Sequence, residues 1–241
     1  MSGWLIPDWP APAGVKACVT TRDGGVSLAP FDSLNLGDHV EDRPQSVAEN
    51  RRRLTEHFDI APAWLQQVHG IAVAHADPGV VVSADASWSA TPGIACAVMT
   101  ADCLPVLFCN RAGTRVAAAH AGWRGLAAGV LEATLDSLDV PAAEVLVWLG
   151  PAIGPQSFEV GAEVREAFVA QLAAAEQAFV PSVNAGRFMA DIYQLARLRL
   201  ATRGVTAVYG GGYCTVTDPR FFSYRRSPRT GRFASLIWLE R

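Results

Sequence analysis

Lysine is almost missing from this chain. Lys16 is the only one among 20 basic residues, so positive charge is carried by Arg and any anion site must be built with guanidinium groups. Histidine is also scarce, with 5 in 241 residues. No uninterrupted apolar run reaches the roughly 18 residues of a membrane helix, so no span is expected. No Gly/Ser or charge-block linker separates two halves, and no internal repeat is visible. There is no G-x-G-x-x-G after a strand-like run, no Walker A segment and no G-x-S-x-G, so three common enzyme classes lack their marks. The five Cys (Cys18, Cys96, Cys103, Cys109 and Cys214) are odd in number and scattered, without a C-x-x-C pair. That argues against a disulfide framework and for a reducing compartment. The N-terminal segment, Met1 to Pro10, has no basic flank and no apolar core of signal-peptide length, so the expected location is the cytoplasm.

What remains is the composition of a globular protein. Half of the residues are hydrophobic, 18% are charged and the formal net charge is −3. The length fits one domain over residues 1–241, large enough to bury about 70–75% of its unfolded surface. Mild acidity argues against nucleic acid or an anionic membrane as the main partner.

The hydrophobic pattern mixes two periods. Val15–Thr21, Trp64–Val68, Ile94–Met99, Leu104–Cys109, Val116–Ala119, Val145–Leu149, Val205–Tyr209 and Phe233–Leu239 read as strands. Asp42 reads as an N-cap, with Pro44 in the first turn and Gln45 completing a capping box, for a helix running to about His57. Further helices are predicted at Leu126–Leu138, Ala162–Ala175 and Asp191–Thr202, the last stopped by Gly204. Strands come in clusters with helices inserted irregularly. The fold class is therefore α+β with mixed β-sheets and flanking helices, not a regular βαβ array.

Three segments place a His or Cys where a strand-like run meets small or turn residues. They are Gln66-Gln67-Val68-His69-Gly70, Thr100-Ala101-Asp102-Cys103-Leu104-Pro105 and Ala119-His120-Ala121-Gly122-Trp123-Arg124-Gly125. Two imidazoles and a thiolate are the ligand count of a catalytic zinc site with an open fourth position. The same residues also read as satisfied core histidines and a small buried hydrophobe. Arg124, among glycines at the start of a helix, and Arg22, in a Gly-rich turn, can seat an anion or simply be solvated. Phe221-Phe222-Ser223-Tyr224-Arg225-Arg226 mixes aromatics with cations, which suits base stacking beside an anion or an ordinary edge strand. His57 falls near a helix C-terminus, His75 reads as structural and His39 as a surface residue.

Taken in order along nearly the whole chain, these segments resemble the YfiH-type family, also called laccase-domain or polyphenol oxidase proteins. That family includes the peptidoglycan editing factor and purine nucleoside phosphorylases. The resemblance begins at Thr20-Thr21-Arg22-Asp23-Gly24-Gly25-Val26-Ser27 and Ser33-Leu34-Asn35-Leu36-Gly37. It runs through the three segments above and ends at Phe222-Ser223-Tyr224-Arg225-Arg226 and Thr230-Gly231-Arg232. It implies a cysteine-hydrolase-like fold and a zinc pocket with His69, Cys103 and His120 as ligands. Gln156 and Phe158 stand where many relatives carry Cys and Tyr.

The resulting expectation is a zinc-dependent purine nucleoside enzyme. Its reactions would be phosphorolysis of adenosine, inosine and methylthioadenosine, with adenosine deamination beside it. The partners would be nucleoside and phosphate. Asp102 would act as acid/base or orient a ligand His, and Cys103, His69 and His120 would complete the catalytic set. Arg22, Asn35, Arg124, Tyr224 and Arg225 would bind substrate and phosphate. One alternative is a Cys–His hydrolase editing peptidoglycan precursors. Another is a copper-dependent phenol oxidase. Five His are too few for a multicopper cluster, though a single His₂Cys site with Met99 as axial ligand fits the count.

Overall fold

The computed structural model describes residues 3–241. Met1 and Ser2, part of the segment read for a leader, lie outside the described residues. Strands β1 (Val15–Val19), β2 (Ala61–Ala63), β7 (Ile94–Thr100) and β15 (Phe233–Leu239) form one sheet in the order β1-β15-β7-β2. A six-stranded sheet has the order β14-β10-β8-β9-β6-β4. Its strands are β4 (Val73–His75), β6 (Ala86–Ser89), β8 (Leu104–Asn110), β9 (Val116–Ala121), β10 (Val145–Leu149) and β14 (Val208–Gly210). Two small sheets complete the set, one of β3 (Leu65–Gln66) with β5 (Val82–Ser83), the other of β11 (Glu159–Gly161), β12 (Phe179–Pro181) and β13 (Arg187–Ala190). Parallel pairs (β2 with β7, β4 with β6, β10 with β14) sit beside antiparallel ones, so the expected mixed α+β architecture is what the chain adopts.

Period-two burial on both faces explains the layering. In β8, Leu104, Val106 and Phe108 face the helices, while Leu107 and Cys109 face the other sheet. Helices α3 (Val130–Leu138) and α5 (Ile192–Thr202) cover the first face through Leu131, Leu135, Leu195 and Leu200. Val19, Cys96, Val98 and Ile237 of the smaller sheet pack against Leu107, Val116 and Leu146 of the larger. Helix α1 (Pro44–Phe58) closes the outer face of the smaller sheet with Leu54 and Phe58. Each fully buried side chain among these, such as Leu54 or Phe108, is worth about 1.5–3 kcal/mol. Among the described residues, no helix is long and apolar enough to cross a membrane.

Several local expectations are corrected. The N-cap of α1 is Arg43, with no side-chain cap bond. Asp42 instead accepts from Ser27 Oγ and Asn35 Nδ2 through Oδ2 and from the Arg43 amide through Oδ1, one residue short of the capping geometry. The stretch Leu126–Leu138 is broken at Gly129, whose φ of 109° separates α2 (Trp123–Ala128) from α3. The helix expected over Ala162–Ala175 is α4 (Ala162–Val169) and stops short, and only Leu65–Gln66 of the Trp64–Val68 run is strand. Asp191 caps α5 as expected, accepting from the Gln194 amide.

The strand order brings the three chemical segments together. β7 leaves the small sheet and enters the large one as β8 through Ala101-Asp102-Cys103, which places Cys103 at the corner between the sheets. In the β8–β9 ladder Pro105 pairs with His120 and Leu104 with Ala121, so Cys103 and His120 emerge at the same sheet end. Beside them the β6–β9 ladder begins with Ala86 opposite Ala119, which puts Asp85 next to His120.

Candidate metal centre and its cavity

One carboxylate organises the centre. Asp85 is fully buried. Its oxygens accept from the backbone amides of Val68 (3.2 Å), His69 (2.9 Å) and Gly70 (2.6 Å), and from His120 Nδ1 at 2.8 Å. Burial alone would raise this carboxyl. The His120 bond and the Gly70 and His69 amides outweigh burial and hold it below its ordinary value. An ionised carboxylate only accepts, so the His120 proton sits on Nδ1 and Nε2 is left for a ligand.

The same bonds shape the His69 loop. His69 has a φ of 61°, a left-handed conformation that costs a non-glycine residue on the order of 1–3 kcal/mol. Three amides converging on one carboxylate offset that cost. Gln67 pins the loop from the other side, its side chain exchanging two bonds of 2.8 Å with the Met99 backbone. The ring is thereby turned toward Cys103, with Nε2 3.7 Å from Sγ. The His69 and His120 rings meet edge to face at 4.6 Å.

The ligand atoms of His69, Cys103 and His120 lie within 4.8 Å of one another. A nitrogen–nitrogen–sulfur donor set of that span can hold a divalent transition ion. The sulfur is chemically set apart from its fellows. Burial pushes the Cys18, Cys96 and Cys109 thiols up to about 12. At Cys103 burial also acts upward, but the charge of His120 and the bonds to both imidazoles bring the thiol down to about 6. His120 moves the other way. Burial lowers it, while the Cys103 and Asp85 charges carry it up to about 9. Without an ion, thiolate and imidazolium are therefore the paired state near neutrality.

Gly122 is tight against two donors. A Cβ there would stand 2.7 Å from His69 Cδ2 and 3.1 Å from Cys103 Sγ. Its φ of −62° and ψ of 154° suit any residue, so the effect of Gly122→Ala falls on the ligands. The variant is expected to lose roughly 10-fold or more in metal affinity, on the scale of other ligand-support losses. A competitive chelator titration measures this; unchanged affinity would contradict the packing argument.

The three donors open into a cavity of about 440 Å³, within the usual roughly 300–1,000 Å³ of small-molecule sites. Its walls include Trp123, Ile153, Phe158 and Ile192 on the apolar side and Arg124, Arg225 and Arg232 on the charged side. None of these guanidinium groups pairs with a carboxylate among the described residues. Arg124 lies over the Trp123 ring at 4.5 Å, and Arg225 donates to the carbonyls of Ser157 and Glu159 at 3.2 Å each. Tyr224 stands exposed at the mouth.

The structure gathers His69, Cys103, His120, Asp102, Arg124, Tyr224 and Arg225 around one cavity, and leaves two expected residues outside its lining. Arg22 bonds the carbonyl and carboxylate of Asp32 and lies over Phe222. Asn35 is fully buried and bonded to Gly37, Asp42 and Arg232. Asp102 lines the cavity, but its oxygens accept from Thr215 Oγ1 and the Arg225 amide, both at 2.6 Å. It ties loops together, and the carboxylate that orients a ligand His is Asp85. Asp85, Arg232 and His39 were not singled out from sequence as site residues. A lone Asp among the small residues Ala84, Ala86 and Ser87 was the available signal for the first. His57 stacks on Trp4 and His75 on Trp88, away from the donors, while His39 is exposed at the cavity rim.

Residues 16–240 match the model of a family described as multi-copper polyphenol oxidoreductase laccase. The chain is 73% identical to purine nucleoside phosphorylase PA4543 of Pseudomonas aeruginosa, with all of both chains covered. It is 58% identical to purine nucleoside phosphorylase YfiH of Escherichia coli, over 99% of this chain and 100% of that one. The crystal structure of the Neisseria meningitidis protein NMB0706 superposes with a TM-score of 0.96 at 53% identity, covering 99% of each chain. A matched core from β1 to the last strand, carried with its His-Cys-His cavity, makes this chain an enzyme that belongs to the YfiH-type laccase-domain family.

Proposed function

We propose that the protein is a zinc-dependent purine nucleoside phosphorylase, one catalytic domain over residues 1–241, acting on adenosine, inosine and methylthioadenosine in the cytoplasm. The observation that carries this reading is the juxtaposition of a His-Cys-His donor set with three unpaired guanidinium groups in one nucleoside-sized cavity. The relatives named purine nucleoside phosphorylase support it.

Zinc suits the donors. Bonds of about 2.3 Å to sulfur and about 2.0–2.1 Å to nitrogen set those atoms roughly 3.5 Å apart in a tetrahedron. The Cys103–His69 separation is 3.7 Å and all three donor atoms lie within 4.8 Å, so the donors would draw somewhat closer on an ion. When bound, zinc supplies Lewis-acid polarisation at its open fourth position. A multicopper centre does not fit, because only one cluster of metal-binding side chains exists among the described residues and it holds two of the five His.

The chain's own residues do the rest. In phosphorolysis a phosphate oxygen bonds C1′ of the ribose as the bond to purine N9 breaks, and the base leaves with the electron pair and takes up a proton. Guanidinium groups hold the phosphate and neutralise charge that gathers in the transition state. Trp123, Phe158 and Tyr224 offer flat faces to a purine, and Ile153 with Ile192 keeps water from the reacting carbon. Asp85 keeps His120 oriented throughout, and Asp102 holds the Arg225 loop over the cavity. Adenosine deamination would be a separate reaction at the same donors, in which a water oxygen bonds C6 of the purine, the C6–N6 bond breaks and the nitrogen leaves as ammonia with one of the water's protons.

The test is release of free base from the three nucleosides with and without phosphate, before and after chelation. Turnover should need phosphate, stop with chelator and return with zinc. Metal-loaded protein that leaves all three nucleosides intact in phosphate would end the proposal. A second reading, a Cys–His hydrolase of peptidoglycan precursors, is favoured by the Cys103 thiol at about 6 beside an Asp85-held His120. A thiol hydrolase keeps its activity in chelator.

A further inference from the structure

Arg232 combines three features that no other cationic residue of the cavity shares. First, its backbone is fixed. The Arg232 amide donates to Asn35 Oδ1 at 2.8 Å, and the buried Asn35 donates through Nδ2 to the Gly37 carbonyl (3.0 Å) and to Asp42 Oδ2 (2.9 Å). Second, its side chain is fixed. Nη1 donates to the carbonyls of Thr230 and Gly231, both at 3.0 Å. The stem runs over Gly37, where a Cβ would come within 2.8 Å of Arg232 Cγ. Third, the remaining edge is free. Nε and Nη2 have no hydrogen-bond acceptor and no carboxylate among the described residues.

A partly buried guanidinium without an ion-pair partner is costly unless its N–H groups find acceptors, as those of Arg197 do on the carbonyls of Val208 and Gly210. The partly buried Arg51 and Arg199 pair with Asp38 and Glu132 at 3.3 and 2.6 Å. Arg232 lines the metal cavity and also an outer cleft of about 420 Å³, bordered by His39, Arg229 and one carboxylate, Glu41, which forms no ion pair with Arg232. A small anion can therefore reach its free edge. Two parallel donors on a planar fork match two oxygens of a tetrahedral oxyanion.

We infer that Arg232, positioned by Asn35, is the anchor of the phosphate co-substrate. This rests on the phosphorylase reading and deepens it. It also gives the S-L-N-L-G and T-G-R segments one shared task. Asn35 and Gly37 shape the seat, and Arg232 occupies it.

The experiment pairs binding with turnover. Equilibrium dialysis of radiolabelled inorganic phosphate against the metal-loaded protein gives a dissociation constant without any reaction. Steady-state kinetics give KM separately for phosphate and nucleoside. Arg232→Gln should raise both the phosphate dissociation constant and the KM for phosphate by about 10- to 100-fold, the worth of a lost charge-assisted pair. The KM for nucleoside should change less than about 3-fold, within ordinary context scatter. Arg232→Lys keeps the stem and the charge but loses the fork, and should fall between. An unchanged melting temperature in the Lys variant guards against a folding artefact. Unchanged phosphate binding and KM in both variants, or an effect confined to the nucleoside, would overturn the inference. Phosphate bound through Arg232 by a protein that never turns nucleosides over would keep the inference and remove the phosphorylase reading.

Discussion

Asp85→Asn should fold and yet fail to keep a metal ion. The amide presents one acceptor and one donor where three backbone N–H groups and the His120 ring all donate. At least one N–H then faces an NH₂ group in a buried site, and His120 loses the partner that fixes its proton on Nδ1. Loss of such a supporting carboxylate costs about 10–100-fold in metal affinity. Here the second ligand is affected too, because the strained His69 loop is held by the same oxygens, so the upper end is expected. Metal content after dialysis against a fixed chelator concentration is the measurement. Stoichiometric metal in the variant would show that Asp85 is not the organiser. Asp85→Ala should go further and lower stability by about 3–5 kcal/mol, since it leaves buried donors and a buried imidazolium without a counter-charge. The pH sign follows from the depressed carboxyl. Its stabilisation is present above the ordinary carboxylate range and is lost only as the pH falls through the lowered value.

Cys103→Ala should abolish metal binding and nucleoside turnover together, while the fold survives. The side chain sits at a corner between sheets and is only partly buried, so truncation leaves little cavity. Two imidazoles alone bind a divalent ion far more weakly than three donors with a thiolate. In metal-free wild type, the rate of Cys103 alkylation should rise with pH to a midpoint near 6 and then level off, because the thiol is brought down to about 6. The buried Cys18, Cys96 and Cys109, pushed up to about 12, should stay silent over that range. Any second reaction belongs to Cys214, lowered to about 7, and the Cys214→Ser variant removes it while keeping Cys103. A Cys103 midpoint near 9 would mean that the thiolate–imidazolium pair does not form. Linkage carries opposite signs for the two partners. The thiolate's contribution is lost as pH falls through about 6, and the imidazolium's as pH rises through about 9, so the ion-free pair stabilises the fold between those limits.

Much of the local structure was written in period and punctuation. Strands β7, β8, β10 and β15 and helix α5 fall where alternation, apolar runs and the Asp191 cap placed them, because both faces of those strands are buried and leave a continuous apolar signature. The capping box at Asp42 did not form, and Asp42 bonds partners from distant segments instead. Gly129 ended one helix and began another, although the apolar spacing runs across it unbroken. Short strands such as β11, β12 and β13 carry too few residues for a period to show.

The candidate site divides in the same way. Residue type made His69, Cys103, His120, Arg124, Tyr224 and Arg225 candidates but left a core or solvated reading open for each, and the family resemblance of their segments singled them out. Nothing along the chain told Asp85 from Asp102, or Arg232 from Arg22. Sequence nearness to a ligand favoured Asp102, whereas ladder register put Asp85 against the His120 ring. By itself, then, the order of amino acids determined the strands, the arginine-only positive charge and the set of groups able to bind an ion. The crossing of β7 into β8 between two sheets decided which of those groups meet, because hydrogen bonds and coordination act over a few ångströms in space, and separation along the chain places no limit on them.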